Sequence, residues 1–227
     1  MSRGCFVTGT DTGVGKTLAA CTLLRALRAR GIDVAAMKPI AAGASESGGR
    51  LANGDTRDLI AAAGLGSDDL DAVTPVLLRE AIAPHIAAER EGRVLTLDPV
   101  IAAWRRRAQG SAYVVVEGVG GFKVPLGRSL DTVDLARAFN LPIVMVVGLR
   151  LGCLNHALLT AGAIRHEGLT LAGWIASAID PAMAAREENI EALRRRLGAP
   201  CLGVLPHMPQ PDPAVLAREL DTSWLVR

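Results

Sequence analysis

Aromatic residues are scarce in this chain. Phe, Trp and Tyr make up 3% of its 227 residues, although half of all residues are hydrophobic. The core must therefore be aliphatic, and no stretch concentrates Lys and Arg with the aromatics that nucleic-acid bases stack on. Cysteine is equally thin. Cys5, Cys21, Cys153 and Cys201 form no C-x-x-C pair, so a thiolate metal cluster is unsupported. Cys5 and Cys201 sit in apolar, strand-like runs and read as small core residues. His85, His156, His166 and His207 are scattered without ligand spacing. No run approaches the ~20 apolar residues of a membrane span, and the first apolar run is too short for a signal peptide. Neither charge dominates: 25 Lys and Arg face 23 Asp and Glu, for a net +2. The runs Arg105–Arg107 and Arg194–Arg196 fall late in predicted helices, where they complement the helix dipole. These absences predict a cytoplasmic, soluble protein with reduced thiols that binds neither nucleic acid nor membrane. The length suits one large α/β domain over residues 1–227.

What the chain does have is concentrated in FVTGTDTGVGKTL, Phe6 to Leu18. An apolar run leads into a glycine-rich turn ending in Gly15-Lys16-Thr17, and an amphipathic segment follows at once. Strand, loop and helix in this order describe a phosphate-binding loop. Glycines let backbone N–H groups approach phosphate oxygens, and the helix N-terminus adds unpaired donors and the positive end of a dipole. Lys16 can reach the β- and γ-phosphates, and the Thr17 hydroxyl can ligate Mg²⁺. The spacing departs from the usual G-x4-G-K-[ST]. Gly9 lies one residue further out, so this loop is a G-x5-G-K-T variant.

Apolar positions Ala20, Leu23, Leu24 and Leu27 predict a helix over 16–30, closed at Gly31. Val34–Met37 reads as a buried strand ending at Lys38-Pro39, which completes a βαβ unit and implies a parallel sheet. Residues 41–55 are rich in Gly, Ser and Ala without periodicity, as expected of a long functional loop that nucleotide and Mg²⁺ would order through Asp55. A weaker helix follows over 56–63. Residues 74–92 are ambiguous, with a short helix after Pro84-His85. Asp98-Pro99 opens a helix to about Gln109. Tyr113–Glu117 is a buried strand that ends in a carboxylate, and GVGG follows it. Asp131 caps a helix that Asn140 ends. Strands are predicted at 143–147, 171–176 and 201–205, and helices after Gly152 and over 186–197. The sum is a doubly wound, mostly parallel sheet of about seven strands with helices on both faces, as in P-loop NTPases.

Four polar elements then fall at the ends of apolar strands: the Thr10–Thr17 loop, Lys38, Glu117 and the Asp55 region. In a parallel sheet those ends converge on one crevice. Lys16 and Lys38 would bring two positive charges to an anionic transition state. Thr17, Asp55 and Glu117 supply the oxygen ligands Mg²⁺ prefers. On local sequence alone, Lys38 reads better as a surface lysine at a strand end, a reading that only the phosphate loop reverses, and Asp55 equally suits a helix cap. Glu117 is harder to dismiss, because a carboxylate that ends a buried strand needs a partner.

The stretches FVTGTDTGVGKT (6–17), MKPIAAG (37–43), VVVEGVGG (114–121), LGCLNHALLT (151–160) and LTLAGW (169–174) together resemble the dethiobiotin synthase family of biotin biosynthesis, in its order and spacing. The resemblance implies an ATP- and Mg²⁺-dependent ligase. Such an enzyme joins 7,8-diaminononanoate and CO2 into the cyclic urea of dethiobiotin, through a carbamate and a carbamic-phosphoric anhydride, and releases ADP and phosphate. It implies catalytic roles for Lys38, Lys16 and Thr12. It implies nucleotide contacts by Gly13, Val14, Gly15, Lys16, Thr17, Leu18, Asp55, Glu117, Gly118, Val119, Gly120, Ser177, Pro206, His207 and Met208. Substrate contacts are implied for Thr12, Lys38, Ala42, Gly152, Cys153 and Asn155, and Mg²⁺ ligands are Thr17, Asp55 and Glu117. It further implies a homodimer with substrate at the interface. Four positions depart from family residues. Gly13 replaces a glutamate of one bacterial member, and Ala42 a substrate-contacting serine or threonine. Ser177 replaces an adenine-reading asparagine, and the region of Asn189 a tyrosine. A hydroxyl cannot make the paired contact of an amide, so looser nucleotide choice is expected. Two other classes share the loop. An amide-forming synthetase of the cobyrinic acid type would continue into a glutaminase domain with a nucleophilic cysteine. A ParA-like switch ATPase would carry an early lysine, and residues 10–14 have none.

Overall fold

The computed structural model describes residues 4–47, 49–66 and 69–225. The chain opens with β1 (Gly4–Gly9), the phosphate-loop turn, α1 (Lys16–Ala29) and β2 (Val34–Met37). Three short strands follow, β3 (Ile40–Ala42), β4 (Ser45–Ser47) and β5 (Arg50–Ala52), then α2 (Gly54–Ala63), α3 (Leu70–Val73), β6 (Val76–Leu78) and α4 (Pro84–Arg90). The second half alternates regularly: α5 (Asp98–Gln109), β7 (Tyr113–Glu117), α6 (Thr132–Phe139), β8 (Ile143–Gly148), α7 (Cys153–His166), β9 (Leu171–Ser177), α8 (Arg186–Arg196) and β10 (Cys201–Leu205). A one-turn α9 (Pro213–Leu216) lies near the end.

Six strands form the main sheet, in the order β10-β9-β8-β1-β7-β2, and all its neighbours run parallel. The side-chain period of two divides its residues cleanly. Phe6, Met37, Val114, Val116, Met145 and Trp174 enter one apolar layer. Cys5, Val7, Val115, Val144, Val146 and Ile175 enter the other, against Leu23, Leu24 and Leu27 of α1. Burial on both faces explains why these strands read as continuous apolar runs. All four thiols are free, and burial pushes Cys5 up to about 12. Among the described residues no helix is long and apolar enough to cross a membrane.

The 41–55 segment is not the structureless loop its composition predicts. β3 pairs in parallel with β6, and β4 pairs with β5 as a hairpin. Strands of three residues are too short to show a period, and Gly and Ser are poor strand formers, so neither signal survives in the sequence. The helix after Asp131 does follow its caps. Asp131 accepts from Val133 and Asp134 in a complete capping box, and Asn140 ends the helix in the left-handed conformation at φ 48°.

Gly148 shows how tightly the sheet edge packs beneath the phosphate loop. A Cβ there would lie 2.7 Å from Ile179 Cδ1 and 2.8 Å from Val14 Cγ1. Gly148→Ala is expected to destabilise the fold by about 1–3 kcal/mol through overpacking, measured as a lower urea midpoint at unchanged m-value.

Candidate active site

Register brings the site together. β7 lies between β1 and β2, with Val7 opposite Glu117 and Met37 opposite Val116. Lys38, the residue after Met37, therefore comes abreast of Glu117. The phosphate loop leaves β1 at the same edge and enters α1 at Gly15, which is held at φ 85° with Gly13 at φ 73°. Both values need glycine. A cavity of about 740 Å³ opens there, lined by Thr12, Gly13, Gly15, Lys16, Thr17, Lys38, Ala42, Asp55, Glu117, Val119 and Gly120. Ala81, Ile82, Ala83, Pro84 and Val124 complete its wall. Sequence reasoning missed these five, which are apolar and carry no chemical signature.

Lys38 is no surface lysine. It is 3% exposed, and its Nζ donates to Asp55 Oδ2 at 2.7 Å and to Glu117 Oε1 at 2.6 Å. The Thr17 hydroxyl also donates to Glu117 Oε1, at 2.8 Å. Burial opposes charge on Lys38, but Glu117 and Asp55 outweigh it and hold its pKa above the usual lysine value. Asp55 is likewise resisted by burial yet pulled below the carboxylate range by Lys38. For Glu117, which is fully buried, desolvation wins over Lys38 and the pKa is raised. Its second oxygen, Oε2, is buried and accepts no hydrogen bond among the described residues. One lysine thus serves two carboxylates, and one carboxylate oxygen is left bare.

That bare oxygen tests whether the site suits Mg²⁺. A hydroxyl and two carboxylates at one sheet edge, with an unpartnered anionic oxygen among them, form the hard oxygen set a magnesium ion takes beside phosphate. The residues fit. Among the described residues no group of three or more His, Cys, Asp or Glu could hold a metal.

Asp55 does not cap its helix, as half of the local reading allowed. Asn53 is the cap: it accepts from Asp55 N at 3.0 Å and donates to the carbonyls of Ala42 at 2.9 Å and Gly43 at 3.2 Å. It ties the Lys38–Gly43 segment to the helix that presents Asp55. An asparagine two residues before an acid at a helix start was the available signal.

Lys16 is buried beside the loop and donates to the Asp11 carbonyl at 2.9 Å. Its pKa is lowered to about 8, first by desolvation, which Glu117 opposes and Lys38 assists. Asp11 is held from both sides. Its Oδ1 accepts from Thr12 N at 2.7 Å, and its Oδ2 accepts from Arg150 at 2.6 Å.

The remaining expected residues lie outside this cavity. Val14 points into the core, and Gly118 turns toward Phe6, whose ring a Cβ would meet at 3.1 Å. Leu18 borders a second cavity of about 300 Å³ with Asp58 and Pro211–Pro213, which Thr17 also lines. Ser177 ends β9 directly behind the loop, where a Cβ on Gly15 would fall 2.6 Å from its Oγ. Leu205 pairs with Ser177, so Pro206, His207 and Met208 emerge next to it. Gly152 starts α7 at φ 95°, Cys153 is buried and Asn155 is exposed.

Known proteins resemble this chain over nearly its full length. A family model described as an AAA domain matches residues 3–215. The chain is 51% identical over 220 residues to the ATP-dependent dethiobiotin synthetase BioD of Aromatoleum aromaticum, covering 96% of each chain. It is 48% identical over 222 residues to the protein of the same name from Ralstonia nicotianae, covering 98% of this chain and 96% of the relative. Among solved structures, a ParA family ATPase from Chlorobium tepidum has a TM-score of 0.56 at 14% identity, covering 92% of this chain and 86% of that one. That likeness speaks for the P-loop fold alone.

Two outcomes are expected here. Asn53→Ala should cost about 1–3 kcal/mol, as a lost cap that also leaves buried groups unpaired, read by denaturant unfolding. The second follows from the sign of the Lys16 shift. Between pH 8 and 10.5 the unfolded chain holds this proton and the folded, ligand-free protein does not, so the contribution of Lys16 to stability rises with pH across that window, while the buried thiols, Cys5 among them, contribute with the opposite sign above pH 9. A phosphate beside Lys16 favours the ammonium. Mg-ATP binding at pH 9 should therefore take up roughly 0.5–1 proton, measured by calorimetry in buffers of different ionisation enthalpy. Lys16→Met should abolish the uptake.

Proposed function

This chain belongs to the dethiobiotin synthetase family, and from that premise we propose that its one domain, residues 1–227, converts 7,8-diaminononanoate and CO2 into dethiobiotin at the expense of ATP. The observation that carries the reading is the pairing of Lys16 and Lys38 across a single cavity with Thr17, Asp55 and Glu117. Two anions must meet for this chemistry, a carbamate and a γ-phosphate, and two lysines at one sheet edge offset their repulsion.

One amine of the diamine adds to CO2 and loses a proton, giving a carbamate. A carbamate oxygen displaces ADP from the γ-phosphorus and forms the carbamic-phosphoric anhydride. The second amine attacks the carbonyl carbon, the C–O bond to phosphate breaks, and the urea ring closes with release of phosphate and a proton. Lys38, kept as an ammonium by its neighbours, holds the carbamate by charge rather than by proton transfer. Lys16 and the N–H groups of Gly13–Leu18 hold the phosphates, and Thr12 orients the carbamate between them. Thr17, Asp55 and Glu117 would hold Mg²⁺, which when bound supplies positive charge to the phosphate oxygens. Ser177 and Pro206–Met208 would face the adenine. Ala42, which adds no side-chain hydrogen bond, faces the substrate.

We place the substrate carboxylate at the start of α7, where Gly152, Cys153 and Asn155 stand at the positive end of a helix dipole. Leu151 is 95% exposed and Leu159 66%, an apolar surface that supports a homodimer formed around this helix. The cytoplasm is the compartment this reading assigns.

The test is to incubate the protein with ATP, Mg²⁺, bicarbonate and 7,8-diaminononanoate. ADP release should depend on the diamine and match dethiobiotin formed; ADP release indifferent to the diamine would overturn the reading. Lys38→Ala should lower turnover by about 10³-fold or more while Mg-ATP still binds, checked by separate turnover and binding measurements.

A further inference from the structure

The phosphate loop carries a negative charge of its own. Asp11 falls within the five residues between Gly9 and Gly15, next to Thr12 and Gly13, which line the cavity. A carboxylate so close to a triphosphate site would repel its ligand unless neutralised. Its charge is met from across the sheet edge by Arg150, whose Nη2 donates to Asp11 Oδ2 at 2.6 Å.

Arg150 is presented from rigid backbone. Leu149 is fully buried, its N–H donates to the Ser177 carbonyl at 2.8 Å, and its carbonyl accepts from Asp180. The Arg150 carbonyl accepts from Cys153 N at 3.0 Å, the first residue of α7. One residue therefore joins the outer turn of the phosphate loop to the start of α7. Asp11 passes the constraint on, because its Oδ1 takes the Thr12 N–H and its carbonyl takes Lys16 Nζ.

We propose that Arg150 is a positioning residue for the nucleotide, which cancels the Asp11 charge and locks the outer turn of the phosphate loop. The proposal rests on the reading of the cavity as an ATP site. Both side chains are near half exposed, at 42% and 47%, so the pair adds little to global stability. Its effect is local, on the potential and shape of the loop, and a variant lacking it should fold.

Direct Mg-ATP binding should be measured by calorimetry for the wild type, Arg150→Ala, Arg150→Lys and the double variant Asp11→Asn/Arg150→Ala. The expected pattern is a loss of about tenfold in affinity for Arg150→Ala at unchanged Tm, with most of the affinity kept by Arg150→Lys. The double variant should recover to within about threefold of wild type, because asparagine removes the charge yet still accepts from Thr12 N–H. Unchanged affinity in Arg150→Ala would overturn the proposal, as would a double variant no better than the single. A wild-type protein that fails to bind Mg-ATP would overturn the nucleotide reading itself, and this proposal with it.

Discussion

A buried lysine held between two carboxylates is the contact on which the site depends. Burying Lys38 alone would be prohibitive, and so would burying Glu117 alone. Each is tolerated because the other lies 2.6 Å away. Asp55, more exposed, completes the cluster at 2.7 Å. The three come from segments far apart in sequence, so the cluster forms only when β2, β7 and the start of α2 are all in place. It also sets direction: every participant sits at the C-terminal edge of the sheet, where the phosphate loop leaves β1.

The sheet order makes this convergence unavoidable. The chain runs from β1 through α1 to β2 and leaves a gap that β7 later fills. Glu117 is delivered into the space between the phosphate loop and Lys38. Parallel pairing fixes Val7 opposite Glu117 and Met37 opposite Val116. A slip of one residue would turn Glu117 away and expose the alternating Val114 and Val116 to the wrong layer. The two apolar layers therefore hold the register that the polar edge requires, and packing and chemistry are specified by the same side chains.

Much of this was legible before any coordinates. Long apolar runs ending in Lys38 and Glu117 marked both strands, because a doubly buried strand leaves an unmistakable pattern. The caps at Asp131 and Asn140 were readable because a capping box is local. What stayed hidden depended on contacts without local signature. β3 to β6 are too short to show a period. On local sequence Asn53 and Asp55 could each cap the helix, and only the contact of Asp55 with Lys38 separates them. Arg150 carried no mark in the sequence, because its partner lies 139 positions away. The apolar wall at Ala81–Pro84 could not be told from any other loop.

The two lysines of the site stand in opposite environments, and this divides their work. Lys38 faces two carboxylates and keeps its proton above the ordinary lysine range, so its charge is present before any ligand arrives. Lys16 is also buried but reaches only the Asp11 carbonyl, a dipole and not a charge, and its pKa falls to about 8. Near neutrality both are ammonium groups, yet only Lys16 lacks a compensating anion in direct contact. An incoming phosphate supplies that anion. In the proposed function the fold therefore carries at Lys16 a destabilised charge that a nucleotide would relieve, and at Lys38 a charge already met by two carboxylates. A phosphate gains most at the first and a small anion is best oriented by the second, which is the separation of binding from positioning that joining two anions demands.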